Sequence, residues 1–301
     1  MRKNVASPPP LSGLSLQGDF PFGDVHSIPV RMKKILRAFL APVLAASLIL
    51  PAPARAERYD GMLDATILPG WRLPNGDHIA ALHLRLAPGW KTYWRSPGDA
   101  GIPPSFDWQG AQNTRAVTVS WPSPQVFWQS GMRSVGYHDE VVLPLRVSLR
   151  NAGKDAQLNG TIEIGICKDV CLPQRLKVSA TLPAGSRKPD PRIAAAMADV
   201  PFGRGDAGVT SVTCTVSATP KGIGLNVALT LPGATGNEET VIEFADPELW
   251  VAEPQTSLRG GQLVAETRVT HLSRAAFALD RSEMVLTVLG GRMPVEVRGC
   301  D

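Results

Sequence analysis

The chain predicts an all-β fold, two antiparallel β-sandwich domains joined by a short linker. Three observations carry that expectation. Apolar residues alternate with period two in short runs. Clusters of Pro, Gly, Asn and Asp punctuate those runs. After residue 56, helical signals of useful length gather in one short stretch only. About 245 residues follow position 56, room for one large domain or two small ones.

Taken in order, residues 1–31 are rich in Pro, Gly and Ser and lack hydrophobic periodicity. They are expected to be an upstream extension of the reading frame. Residues 32–56 have the organisation of a signal peptide: a basic start (Lys33, Lys34, Arg37), an apolar run from Phe39 to Leu50, and the small-x-small site Ala54-Arg55-Ala56 before Glu57. An N-terminal membrane anchor is the alternative, disfavoured by a short run that Pro42 and Pro51 interrupt.

Residues 57–183 form the first expected domain, with strands over His78–Leu86, Ala116–Trp121, Val141–Leu149, Gln157–Ile166 and Leu176–Leu182. Turn clusters such as Pro74-Asn75-Gly76-Asp77 and Pro97-Gly98-Asp99-Ala100-Gly101 separate them. Residues 184–204 form a polar linker. Within it Asp190 is an N-cap and Pro191 a first helical residue for a short helix through Arg192–Ala198. Residues 205–301 form the second domain, with strands over Val209–Val216, Gly224–Leu231, Thr240–Phe244, Gln262–Val269, Met284–Leu289 and Val295–Val297.

The formal charge of +4 belongs to the leader. Residues 1–56 hold seven Lys/Arg and two Asp/Glu, leaving 24 basic (31 − 7) against 25 acidic (27 − 2) residues downstream. A net charge of −1 there gives no electrostatic footprint for nucleic acid. No apolar stretch after Ala56 approaches the ~20 residues a membrane helix needs.

The chemistry of the chain gathers at Cys167 and Cys171, in Ile164-Gly-Ile-Cys-Lys-Asp-Val-Cys-Leu-Pro173. An extended strand would hold thiols four apart at ~13 Å, too far to bond. A hairpin with the loop Lys168-Asp169-Val170 sets them opposite each other at ~4.5–5.5 Å, inside the range a disulfide spans. Three roles are open to the pair: thiol–disulfide exchange, a structural staple, or metal ligation. In the chain-entropy picture so small a ring stabilises by only about 2 kcal/mol, against about 4.6 kcal/mol for a loop closed by Cys214 and Cys300. That ranking makes Cys214–Cys300 the structural disulfide and the small ring the candidate for exchange.

Zinc needs four ligands, usually as two close pairs, and His78, His83, His138 and His271 are scattered. Copper is the sharper metal alternative, because Cys-x-x-x-Cys followed by Pro also occurs in thioredoxin-fold copper chaperones. There the pair opens a helix, whereas the period-two run after Pro173 reads as strand. Trp90, Tyr93 and Trp94 precede a tight turn and are open to core or site roles. Phe127 and Trp128, in an expected loop from Pro122 to Tyr137, are candidates to fold over a reactive group or to plug the sandwich end. The sequence contains no nucleophile elbow, Gly-rich phosphate loop or His-Glu-x-x-His zinc motif.

Several separated motifs, in order, resemble the N-terminal domain of the DsbD family, most closely its ScsB group. They are Gly89-Trp-Lys-Thr-Tyr-Trp-Arg-Ser-Pro-Gly-Asp-Ala-Gly101, Trp121-Pro122, Gly136-Tyr137 with Leu143-Pro144, and Gly165-Ile-Cys167 with Cys171-Leu-Pro173. The resemblance covers residues 60–183 and implies an immunoglobulin-like fold and periplasmic thiol–disulfide exchange of the protein-disulfide reductase type. It makes Cys167 and Cys171 the redox pair, with Cys171 forming the mixed disulfide and Cys167 resolving it. It also makes Phe127 and Trp128 the shielding cap and Tyr137, Tyr93 and Trp94 supporting residues. No cofactor or metal is implied. The implied partners are thiol–disulfide proteins of the periplasm or membrane, with donor and acceptor as separate proteins. A non-enzymatic binding module or a copper carrier is the competing class.

Overall fold

A computed structural model describes residues 61–129 and 131–301. The expected extension (1–31) and signal peptide (32–56), with its site at Ala54-Arg55-Ala56, lie outside the described residues.

The first sandwich is built from β1 (Leu63–Arg72), β2 (His78–Leu86), β3 (Lys91–Tyr93), β4 (Ser105–Asp107) and β5 (Thr114–Val119). It continues with β6 (Gln125–Gln129), β7 (Met132–His138), β8 (Glu140–Leu149), β9 (Ala156–Cys167) and β10 (Cys171–Leu182). One sheet has the order β1-β2-β8-β5; the other runs β10-β9-β3-β7-β6, with β4 also on β9. All these pairs are antiparallel. Inward residues of both sheets, among them Leu82, Leu84, Leu145, Val147, Ile162, Ile164 and Ile166, make one core.

β2 is apolar on both faces because both are covered. Its residues Ala80, Leu82 and Leu84 enter the sandwich core. Ile79 and Ala81 pack outward against Ile193 of α1 (Pro191–Ala198). Asp190 caps that helix, its side chain accepting from the Arg192 amide at 2.9 Å, and Pro191 begins it.

The second sandwich comprises β11 (Phe202–Gly203), β12 (Ser211–Thr219), β13 (Gly222–Thr230), β14 (Glu239–Glu243), β15 (Leu249–Val251), β16 (Gln255–Arg259), β17 (Gln262–His271), β18 (Val285–Leu289) and β19 (Val295–Arg298). Its sheets run β11-β19-β18-β14 and β12-β13-β17-β15, with β16 also on β17. The Cys214–Cys300 disulfide links β12 in one sheet to the residues that follow β19 in the other.

The two sandwiches share apolar and charged contacts. Val241 and Leu289 of the second join the core of the first. Arg95, just after β3, donates to Glu243 (3.0 and 2.9 Å) and Glu296 (2.7 Å). Arg133 of β7 donates to the Thr240 carbonyl at 3.0 Å and lies 3.1 Å from Glu239. Asp99 accepts from the Trp250 indole at 3.2 Å.

Two expectations are corrected. The stretch from Pro122 to Tyr137 is mostly the hairpin β6–β7, not a loop. Gln125-Val-Phe-Trp-Gln129 pairs residue by residue with Met132–Gly136, and Gly131, at φ 78°, turns the chain between them. β10 begins at Cys171 rather than near Leu176. Pro173 fits a strand because β10 is a sheet edge, where the missing N–H removes nothing from the ladder's outer side.

Candidate functional site

β9 carries Ile162, Ile164 and Ile166 into the core, so alternation turns Gly165 and Cys167 to the opposite face. The antiparallel register sets Cys171 opposite Cys167. The two are disulfide-bonded across the Lys168-Asp169-Val170 turn, with Cα atoms 4.1 Å apart. Their environments differ sharply: Cys167 is 3% exposed, whereas Cys171, at the start of an edge strand, is open to solvent.

Tyr93 supports the exposed sulfur. Its hydroxyl lies 3.1 Å from Cys171 Sγ and 3.4 Å from the Ala100 carbonyl. A disulfide sulfur bears no hydrogen, so the phenol is the donor. Burial raises the Tyr93 pKa above its ordinary value, which keeps that proton in place. The ring needs Gly165 beneath it: a Cβ there would come within 2.8 Å of the Tyr93 ring and 2.7 Å of Ile102 Cβ.

Lys91, two residues before Tyr93, lies on the same face and directly opposite Cys167 in register. Its ammonium is buried and donates to Gln129 Oε1 (3.0 Å) and Ser134 Oγ (3.4 Å). It also lies 5.3 Å from the centre of the Phe127 ring. Burial lowers its pKa from the usual lysine value. Gln129 continues outward, donating from Nε2 to the Lys168 carbonyl at 2.6 Å. One amide thus ties the tip of the β6–β7 hairpin to the turn of the disulfide hairpin. Lys91, Tyr93, Gln129, Met132 and Asp169 line one cavity with both cysteines.

The aromatic candidates separate. Phe127 shares the outward face with Gln125 and Gln129, its ring 4.3 Å from His138 in an edge-on contact. It borders a groove with Cys167 and Lys168. Trp128 also borders that groove, but strand alternation sends its side chain to the other face, where it is 58% exposed. Trp94 is fully buried in the core, under the Arg95 guanidinium at 4.2 Å. Tyr137 is buried on the core face and donates to the Pro122 carbonyl at 2.8 Å, fixing the start of the hairpin. Trp94 and Tyr137 therefore hold the scaffold and do not touch the pair. Cys214 and Cys300 are bonded to each other in the second sandwich.

Sequence reading missed Lys91, Gln129, Ser134 and Met132. Alternation backward from Tyr93 puts Lys91 on the Tyr93 face. Nothing local reveals that the three-residue β3 lies between β9 and β7. Among the described residues no group of three or more His, Cys, Asp or Glu side chains is arranged to hold a metal, and no helix is long and apolar enough to cross a membrane.

Residues 64–192 match the sequence model of the family described as thiol:disulfide interchange protein DsbD, N-terminal. The fold is similar to the crystal structure of the N-terminal periplasmic domain of ScsB from Proteus mirabilis. The TM-score is 0.57 at 25% identity, covering 79% of this chain and 91% of that one. No curated protein matches this chain in sequence. Residues 64–192 are thus similar, in sequence and in fold, to the N-terminal domain of DsbD-type thiol:disulfide interchange proteins.

Proposed function

We propose that this is a periplasmic electron-passing protein that exchanges disulfides through Cys167 and Cys171. The observation that carries the reading is the unequal exposure of one bonded pair: Cys171 open at an edge strand under the Tyr93 hydroxyl, Cys167 buried behind it. A partner thiolate can approach Cys171 Sγ and has little access to Cys167. The leader-type sequence of residues 32–56 and the similarity to a periplasmic domain support the location.

In the accepting direction, a partner thiolate attacks Cys171 Sγ. The Cys167–Cys171 bond breaks, its electron pair going to Cys167, and a mixed disulfide forms. The partner's second thiolate then attacks the partner's own sulfur and releases Cys171 as thiolate, so two electrons have moved inward. In the donating direction Cys171 attacks a substrate disulfide and Cys167 resolves the mixed disulfide. Tyr93 donates a hydrogen bond to the sulfur that changes bonding partners. Phe127, with the Gln129 tie to the Lys168 carbonyl, shields the flank.

The test is trapping of mixed disulfides in periplasmic extract. Cys167→Ala, which keeps the exposed thiol and removes the resolving one, is expected to accumulate covalent partner adducts. Cys171→Ala is expected to give none. Equal trapping by both variants, or by neither, overturns the assignment of Cys171 as the entry sulfur.

A further inference from the structure

We propose that Lys91 is a positioning residue whose ammonium stabilises Cys167 as a thiolate whenever the Cys167–Cys171 bond is open. The inference rests on the exchange reading above and adds a residue that reading does not require.

Attack at the exposed Cys171 makes Cys167 the leaving group, so a negative charge appears on a sulfur that is 3% exposed. A buried anion without a counter-charge is costly, and a leaving thiolate of higher pKa departs more slowly. In the donating direction the same Cys167 thiolate is the resolving nucleophile. Both directions therefore need a cation near Cys167 and gain little from one elsewhere.

Lys91 is placed for that. It is the cross-strand partner of Cys167 on β3, as Cys171 is on β10, so the three side chains form a row on one face. Directly opposite residues in an antiparallel pair have Cα atoms about 4.5–5.5 Å apart. All three border the same cavity. In the disulfide state the ammonium's hydrogen-bond and ring partners are neutral: the Gln129 amide oxygen, the Ser134 hydroxyl and the Phe127 ring. Stability alone gives no reason to bury an ammonium against neutral groups. A negative charge that exists only after bond opening gives one.

The other charged and titratable groups around the row do not substitute for Lys91. Asp169 borders the cavity from the β9–β10 turn and opposes a thiolate. Lys168 is on the solvent side of that turn, its ammonium 3.5 Å from the Pro88 carbonyl. His138, opposite Lys91 on β7, stacks edge-on against Phe127. Tyr93 serves Cys171.

Two readouts test this on the folded protein. The first is the pH dependence of Cys167 alkylation by iodoacetamide in a Cys171→Ala background, with Lys91 or with Lys91→Met. The second is the rate at which dithiothreitol opens Cys167–Cys171 in proteins that carry both cysteines. Removing the charge is expected to move the alkylation midpoint up by about one unit or more, a tenfold loss of thiolate near neutral pH. Opening is expected to slow about threefold to tenfold. Lys91→Arg, which keeps the charge, is expected to recover most of both effects, a recovery that a purely space-filling role would not produce. Lys91→Gln serves as the neutral variant if Lys91→Met does not fold, judged by near-ultraviolet circular dichroism. Midpoints and rates within twofold of each other for folded neutral and charged variants overturn the inference. If the pair with Lys91 intact resists dithiothreitol altogether, the exchange reading itself fails. If it opens readily but is indifferent to residue 91, only the role of Lys91 fails.

Discussion

Replacing Cys214 and Cys300 together with alanine is expected to lower the thermal midpoint by about 10–15 °C while leaving exchange per folded molecule unchanged. The bond spans a sequence separation of 86 and joins the two sheets of the second sandwich. For a loop of about 87 residues the chain-entropy picture gives about 4.6 kcal/mol, and each kcal/mol shifts a cooperative unit the size of the two sandwiches together by roughly 2–4 °C. Part of the terminus stays tied without the bond. Asp301 pairs with Arg204 and accepts from the Val212 amide, so the full value is an upper bound. Differential scanning calorimetry reads the shift. Loss of exchange in a variant that remains folded would mean that the second sandwich takes part in the chemistry.

The second large effect is expected from Arg95→Ala. This guanidinium bridges Glu243 and Glu296 of the second sandwich, with all three side chains no more than 24% exposed. Burial alone would lower its pKa, but the two carboxylates outweigh that and hold it above the ordinary value. Removing it takes the guanidinium from Glu243 and leaves Glu296 with only the exposed Arg298, 2.9 Å away. Breaking a fully buried pair costs about 3–5 kcal/mol, and partial exposure here reduces that to about 2 kcal/mol. Arg95 also begins the loop that presents Ala100 to the Tyr93 hydroxyl, so the interface and the site share a segment. Arg95→Ala is expected to separate the unfolding of the two sandwiches into resolvable calorimetric transitions. A single unshifted transition would show that Val241 and Leu289, in the core of the first sandwich, suffice to couple them.

Some of this was legible because it is local. Alternation over His78–Leu86 predicts a strand whose bounds coincide with β2, and Asp190-Pro191 signals the start of α1 through capping chemistry. The hairpin that joins Cys167 to Cys171 follows from a three-residue spacer between two period-two runs. The β6–β7 hairpin was not legible. Its Gly, Ser and Gln content reads as loop, and the strands form only because Val126 and Val135 have a core to join. Phe127 and Trp128 are equal in sequence. Alternation separates them only once the strand is known. Lys91 reads as a polar residue between two aromatics. Its meaning depends on β3 pairing with β9, a contact made across 76 positions of chain, from 91 to 167.

The central claim, that the Cys167–Cys171 bond opens and closes as part of function, is tested most directly by a thiol titration of the native protein. The protein is equilibrated across a graded glutathione series, free thiols are trapped, and each disulfide is counted by peptide mass. Structural disulfides in exported proteins typically lie below about −300 mV, and exchanging ones distinctly higher. Cys167–Cys171 is expected to reduce well before Cys214–Cys300, at a potential above that limit. Reduction of both bonds only together, below it, would make the small ring a staple and contradict the account.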